Sequence, residues 1–122
     1  MILGIGVDLC HIPRVARLAT NPRFAARILS PAEHTIFASL PAPHHSRFLA
    51  VRWAIKESAY KALYPTYRLH WKDLTFLAKN NNKPILQPSP NTCKGVTLHA
   101  SVSHDGEYVF ATVVAEHLSP TL

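Results

Sequence analysis

The residues of this chain best suited to chemistry are two carboxylates and a lysine: Asp8 near the N-terminus, and Glu57 with Lys61 four residues after it. At roughly 100° per residue, a helix through the second pair puts Ala50, Trp53, Ala54, Lys61 and Tyr64 within about 60° of Glu57. Phe48, Ile55, Ala59 and Ala62 fall opposite and read as core. The Glu57 side mixes charge with aromatic rings and small alanines, which would let something approach the helix backbone closely. One reading of Glu57 and Lys61 is a solvated surface pair worth about 0.2–0.5 kcal/mol, and an Asp closing a strand is often a turn residue. The other reading is that a strand and a helix each present one carboxylate to a divalent cation. Magnesium commonly takes one or two protein carboxylates and leaves its remaining positions to phosphate oxygens and water. Asp8 and Glu57 are therefore candidate metal ligands.

A third cluster runs from His99 to Asp105. Alternation along a strand puts His99, Ser101 and Ser103 on one face and Ala100, Val102 and His104 on the other. Ser103-His104-Asp105 is contiguous, whereas catalytic triads are assembled in space around an oxyanion hole, so a strand-end turn is the plainer reading. Gly4 and Gly6 fit close approach of backbone or ligand beside Asp8. No GxGxxG fingerprint accompanies them.

These residues need a frame. Met1 to Leu9 reads as a strand, and Pro13 suits the first turn of a helix through about Leu18 that carries Arg14 and Arg17 on one side. Asn21-Pro22 starts a short helix with Phe24 and Ile28. Ser30-Pro31-Ala32-Glu33 combines a capping box with proline at the first helical position, predicting a helix to about Leu40. After a loop from Pro41 to Ser46, Arg47 to Leu63 is the longest helical candidate, free of Gly and Pro until Pro65. Leu74 to Leu77, Pro84 to Leu86, Val96 to Val102 and Tyr108 to Ala115 read as strands, with a tight turn at Asn80-Asn81-Asn82. A strand, then helices, then an antiparallel run predicts one α+β domain over residues 1–122, its long helix packed on a small antiparallel sheet.

Composition bounds the function class. The chain has 122 residues, 48% of them hydrophobic and 16% charged, which suits one compact domain and argues against disorder. Its formal charge of +6 should draw acidic proteins or polyanions. Cys10 and Cys93, without metal-ligand spacing, read as free thiols of a reducing intracellular compartment, cytoplasm or mitochondrial matrix. No signal peptide is expected before the first strand, and no apolar run approaches the roughly 20 residues of a membrane span.

Read together, these segments resemble the holo-acyl-carrier-protein synthase family of small 4′-phosphopantetheinyl transferases. The resemblance runs from Ile5-Gly6-Val7-Asp8-Leu9 through Arg23 to Ser30 with Glu33, the segment Phe48 to Ala62 with its WxxKExxxKA pattern, and the His99 to Asp105 stretch. It implies that Asp8 and Glu57 hold Mg²⁺ and that Glu57, or a water it orients, deprotonates the incoming hydroxyl. It gives Lys61 a phosphate near the breaking bond, and Arg52 and His104 a place around coenzyme A, especially its 3′-phosphate. Arg14 and Arg17 match a helix that docks an acidic acyl carrier protein. The implied reaction moves the phosphopantetheine arm of coenzyme A to a carrier serine and releases adenosine 3′,5′-bisphosphate. The implied assembly is a homotrimer with sites between subunits, with neither nucleic acid nor membrane as partner. On an ideal helix Arg52 points roughly 140° from Glu57, so one coenzyme A would meet both only across such a boundary. The chain departs from the family at Ser58, where alanine is usual, at Leu63-Tyr64-Pro65, where a glycine commonly ends the helix, and at Asn82, in place of a turn glycine. A nucleotide pyrophosphatase using the same carboxylates is the alternative, and a basic nucleic-acid-binding module a more distant one without a matching motif.

Overall fold

The fold is organised by the way its first strand lies on its longest helix. In the computed structural model, which describes residues 1–78 and 83–118, β1 (Ile2–His11) leads into α1 (Ile12–Leu18), α2 (Pro22–Ile28) and α3 (Pro31–Ser39). A 3-10 turn (Ala42–His44) runs into α4 (His45–Leu63), and a second (Trp71–Asp73) into β2 (Leu74–Leu77). Then come β3 (Ile85–Pro88), β4 (Val96–Asp105) and β5 (Tyr108–His117). The long strands form an antiparallel sheet in the order β1-β5-β4, and β2 pairs with β3 separately. This is the α+β architecture expected from the sequence, with α4 against the larger sheet.

Local chemistry explains the helix starts. Pro13 occupies the first turn of α1, where a missing N–H costs nothing. Asn21 Oδ1 accepts the Arg23 N–H at 3.0 Å to cap α2. The capping box of α3 forms in both directions: the Ser30 N–H donates to Glu33 Oε1 at 2.9 Å and the Glu33 N–H to Ser30 Oγ at 3.4 Å.

Several elements run longer than their local sequence suggests. α4 begins at His45 because the preceding 3-10 turn feeds directly into it. β1 continues to His11, and β4 to Asp105, because their partners on β5 keep register to Tyr108. The β4–β5 hairpin is closed by Gly106-Glu107, with Gly106 at φ 56°, a conformation that glycine takes without steric penalty. The turn expected at Asn80-Asn81-Asn82 lies outside the described residues.

Gly4 and Gly6 set the contact between β1 and α4. A Cβ on Gly4 would stand 2.3 Å from the Ala62 carbonyl oxygen, and one on Gly6 1.7 Å from that of Ser58. Backbone therefore rests on backbone. Ser58 also ties α4 to the neighbouring strand, its hydroxyl lying 2.8 Å from the Ala54 carbonyl and 3.2 Å from that of Ala111 on β5. The serine found where alanine is usual is thus absorbed as a helix-to-sheet bond. Val109, Ala111, Val113 and Ala115 of β5 complete the buried face with Ala54, Ile55 and Ala59.

The period of two then fixes two further placements. Asp8 shares the glycine face and is turned toward α4, while Ile5, Val7 and Leu9 occupy the other face, exposed to 64%, 43% and 62%. Phe110 of β5, across from Leu9, is 44% exposed on the same side. No helix among the described residues is long and apolar enough to cross a membrane.

Candidate functional site

β1 and α4 bring Asp8, Glu57 and Lys61 together. Lys61 Nζ donates to the Val7 carbonyl at 2.8 Å and stands 3.7 Å from Asp8 Oδ1. Burial pushes the Asp8 carboxyl above its ordinary value, against the pull of Lys61 and, more weakly, of Arg14. Glu57 is raised as well, first by burial and then by the negative charge of Asp8, with Lys61 opposing. Two half-buried carboxylates that each feel the loss of water, one also feeling its neighbour's charge, with a single half-exposed ammonium beside them, form a site short of positive charge.

That shortage suits a hard divalent cation. Among the described residues no group of three or more His, Cys, Asp or Glu converges on one point. Asp8 and Glu57 could offer such an ion two oxygen donors, leaving its other positions to phosphate and water. Beside Glu57 opens a cavity of about 490 Å³, walled by Tyr60, Arg27 and the segment from Leu69 to Lys72. Arg27 and Lys72 give this cavity cationic walls, and Trp71 and Leu69 an apolar one.

Arg14 and Arg17 are exposed on α1. Arg17 shares a smaller hollow of about 260 Å³ with Arg23 and Arg27 of α2. Arg27 thus borders both hollows and joins the arginine surface to the carboxylate site, a role its sequence position did not reveal. The signal available was the spacing of Arg23 and Arg27, one turn apart.

Arg52 is not brought to Glu57. Its guanidinium donates to the Phe76 carbonyl at 3.0 Å, lies 3.8 Å from Glu33 Oε2 and stacks 3.8 Å over the Phe48 ring. Burial pulls it down to about 10, against Glu33. Glu33 itself is fully buried, and besides capping α3 it accepts the Phe76 N–H at 2.9 Å and pairs with Lys56 Nζ. Lys56 is also fully buried and donates to the Ile28 carbonyl at 2.7 Å. Lys56, next to Glu57 in the sequence, is the centre of an internal ion cluster joining α2, α3, α4 and β2. Its partners are 23 and 28 residues away, so no local pattern marks it. His104 sits exposed at the far end of β4, where Arg47 of α4 reaches it.

Comparison with known proteins agrees with this geometry. The family described as the 4′-phosphopantetheinyl transferase superfamily matches residues 4–113. A holo-[acyl-carrier-protein] synthase of Streptococcus pyogenes is 41% identical over 95% of this chain and 98% of its own length. Another, from Geobacillus kaustophilus, is 37% identical over 98% of this chain and 93% of its own. A crystal structure of the holo-(acyl-carrier-protein) synthase of Bacillus anthracis in complex with CoA (3′,5′-ADP) superposes with a TM-score of 0.83 at 30% identity, covering 97% of this chain and 99% of that one.

Proposed function

The chain belongs to the holo-acyl-carrier-protein synthase family of 4′-phosphopantetheinyl transferases, and from that premise we propose that it primes an apo acyl carrier protein from coenzyme A in a Mg²⁺-dependent reaction. The observation that carries this reading is the meeting of Asp8, Glu57 and Lys61 at the β1–α4 contact. The serine oxygen of the carrier forms a bond to the phosphorus that bears pantetheine. The bond from that phosphorus to the bridging oxygen breaks, and adenosine 3′,5′-bisphosphate leaves. The serine proton passes to Glu57 or to a water that Glu57 orients, a role suited to a carboxylate raised by burial and by Asp8. Lys61, pinned by the Val7 carbonyl, offers its ammonium to the pyrophosphate and offsets the charge that grows on the leaving oxygen. Mg²⁺ held by Asp8 and Glu57 would supply further charge neutralisation of the pyrophosphate. Arg52 is held by its own subunit and has only a small exposed edge to offer a nucleotide lying against it.

Incubation with coenzyme A, Mg²⁺ and apo carrier protein tests the reading by mass spectrometry of the carrier. Gain of the phosphopantetheine arm is the expected result. Release of adenosine 3′,5′-bisphosphate from coenzyme A without any carrier would favour a pyrophosphatase instead.

Carrier docking falls to Arg14 and Arg17, whose exposed charges extend the arginine surface leading to the 490 Å³ cavity. Because Arg14 also acts on Asp8, Arg17→Glu is the cleaner probe. Its KM for carrier should rise about tenfold relative to its KM for coenzyme A, and the difference should shrink as salt screens the encounter. An unchanged ratio of the two constants would remove the helix from the docking surface.

The exposed strip of Ile5, Val7, Leu9 and Phe110 supports a homotrimer, since self-association would cover an apolar face that a monomer leaves wet. Sedimentation should give three times the 13.6 kDa chain mass. Val7→Lys should shift the protein to monomer, and a wild-type enzyme active as a monomer would overturn the assembly. The bacterial relatives and the two buried thiols, Cys10 and Cys93, support a reducing bacterial cytoplasm as its compartment.

A further inference from the structure

Three separate elements wall the 490 Å³ cavity beside Glu57: α4 itself, the end of α2 at Arg27, and the segment from Leu69 to Lys72 that leads into β2. The same three elements are joined at Lys56, a fully buried amine to which the mechanism above gives no task. Its Nζ donates to the Ile28 carbonyl at 2.7 Å, and among the described residues this is the one hydrogen bond from α4 to α2. Ile28 follows Arg27 in the chain, as Glu57 follows Lys56. The third wall is reached through Glu33, which pairs with Lys56 and accepts the Phe76 N–H of β2 at 2.9 Å. Aromatic rings make the junction a second time. Trp53 of α4 stacks on Phe24 of α2 with ring centroids 5.2 Å apart, and its ring centroid lies 4.8 Å from that of Trp71. Stability alone is a weak reason to bury such charges, because apolar residues of like volume commonly hold a core as well or better.

We propose that Lys56 is a positioning residue for the transfer step, holding Arg27 and the segment from Leu69 to Lys72 at a fixed span from Glu57. The proposal rests on the transferase reading above and extends it to a residue too deeply buried to touch substrate. The glycine contacts of β1 are with Ser58 and Ala62 of α4, so they set Glu57 against Asp8 and leave the far side of the cavity unset. The ammonium at the α2–α4 junction sets that far side. On the transferase reading the carrier serine comes to Glu57 past the arginine surface to which Arg27 belongs. The span from Arg27 to Glu57 therefore governs how closely the hydroxyl meets its base, and a misplacement of about 1 Å in such an approach can cost about 10²-fold. The metal and the pyrophosphate are served from the β1 side, by Asp8 and Lys61, and do not depend on that span.

Lys56→Met removes the tether and leaves Glu33 balanced by Arg52, 3.8 Å away, so the variant should melt close to the wild type. At saturating carrier protein its kcat should fall at least about tenfold. Its KM for coenzyme A and its Mg²⁺ dependence should stay within about twofold of wild type, the split expected when only the transition state is disturbed. A lysine that served as glue alone would shift the melting temperature and leave the kcat of the folded protein unchanged. Trp53→Leu breaks the aromatic stack without touching a charge. It should show the same split to a smaller degree, and it decides the question if Lys56→Met does not fold. Trp53 and Trp71 are the only tryptophans of the chain, so quenching of their emission by acrylamide reads the cavity wall without turnover, and it should rise in Lys56→Met. If the wild type forms no holo carrier, the transferase reading fails, and the brace is judged by that quenching: a wild-type level in Lys56→Met overturns it. With transfer active, a wild-type kcat in the folded variant overturns the proposal, as does a loss of coenzyme A or Mg²⁺ binding as large as the loss of kcat.

Discussion

Glu57→Ala and Asp8→Ala are each expected to lower transfer of the phosphopantetheine arm by roughly 10³-fold at saturating Mg²⁺, the scale of charge stabilisation that a bridging metal supplies. The double variant should be little worse than either single one, because two ligands of one ion fail together. Stability should behave in the opposite way. Both carboxyls lie above their ordinary values, chiefly through burial, and Glu57 also through Asp8. A carboxyl whose native value exceeds its unfolded one weakens the fold as pH rises from the unfolded value through the native one. Removing either should therefore leave the metal-free protein at neutral pH as stable as the wild type or more so, and Mg²⁺ should stabilise the wild type alone. Melting curves with and without Mg²⁺ check this beside the mass-spectrometric assay. Near-normal transfer by either single variant would end the metal assignment.

The second large effect belongs to Glu33. Its carboxylate caps α3, takes the Phe76 N–H and stands between Lys56 and Arg52, with Lys56 and Glu33 both at 0% exposure. Glu33→Ala would leave two cations buried without their counter-charge, a situation that costs about 3–5 kcal/mol. For a chain of this length that corresponds to a fall in Tm on the order of 15 °C. Glu33→Gln keeps much of the shape and loses the charge, so it should still cost most of that amount. Combining it with Lys56→Met, which removes one of the stranded charges, should return part of the loss as a favourable coupling in the double-mutant cycle. Thermal and denaturant unfolding of the four proteins measure it. A Glu33→Ala protein within about 1 kcal/mol of wild type would show that Lys56 and Arg52 find other partners.

These two groups of residues differ in what places them, local pattern for the first and tertiary packing for the second. Asp8 and Glu57 are legible in the sequence because direction follows from local period: the glycine face of a strand and the face of an uninterrupted helix each point their acid one way. The helix starts are legible for the same local reason, as Ser30 and Glu33 show. The fate of Lys56 and Arg52 is not, since both are decided by Glu33, Ile28 and Phe76, which reach them only after α3 and β2 have packed. A helical wheel gives Arg52 a direction and says nothing of what waits there. The Arg47–His104 contact spans 57 residues and depends on the full length of β4, which local pattern ends at Val102 and pairing with β5 carries on to Asp105.

Between the strand that carries Asp8 and the helix that carries Glu57 there is almost nothing compressible. Side chains elsewhere in a core can turn or repack by tenths of an ångström when sequence drifts, but Gly4 and Gly6 meet carbonyl oxygens of α4 with no side chain of their own between. The gap between the two acids is thus gauged by peptide geometry, in the way a hard stop sets the opening of a calliper. Neighbouring positions are free to vary while that opening stays constant. An ion that demands short, near-ideal oxygen contacts is served by such a fixed jaw, whereas a larger, more forgiving ion gains nothing from it. A methyl group at either glycine would act as a shim, forcing the jaw apart where a carbonyl oxygen now stands 1.7 or 2.3 Å from the added atom.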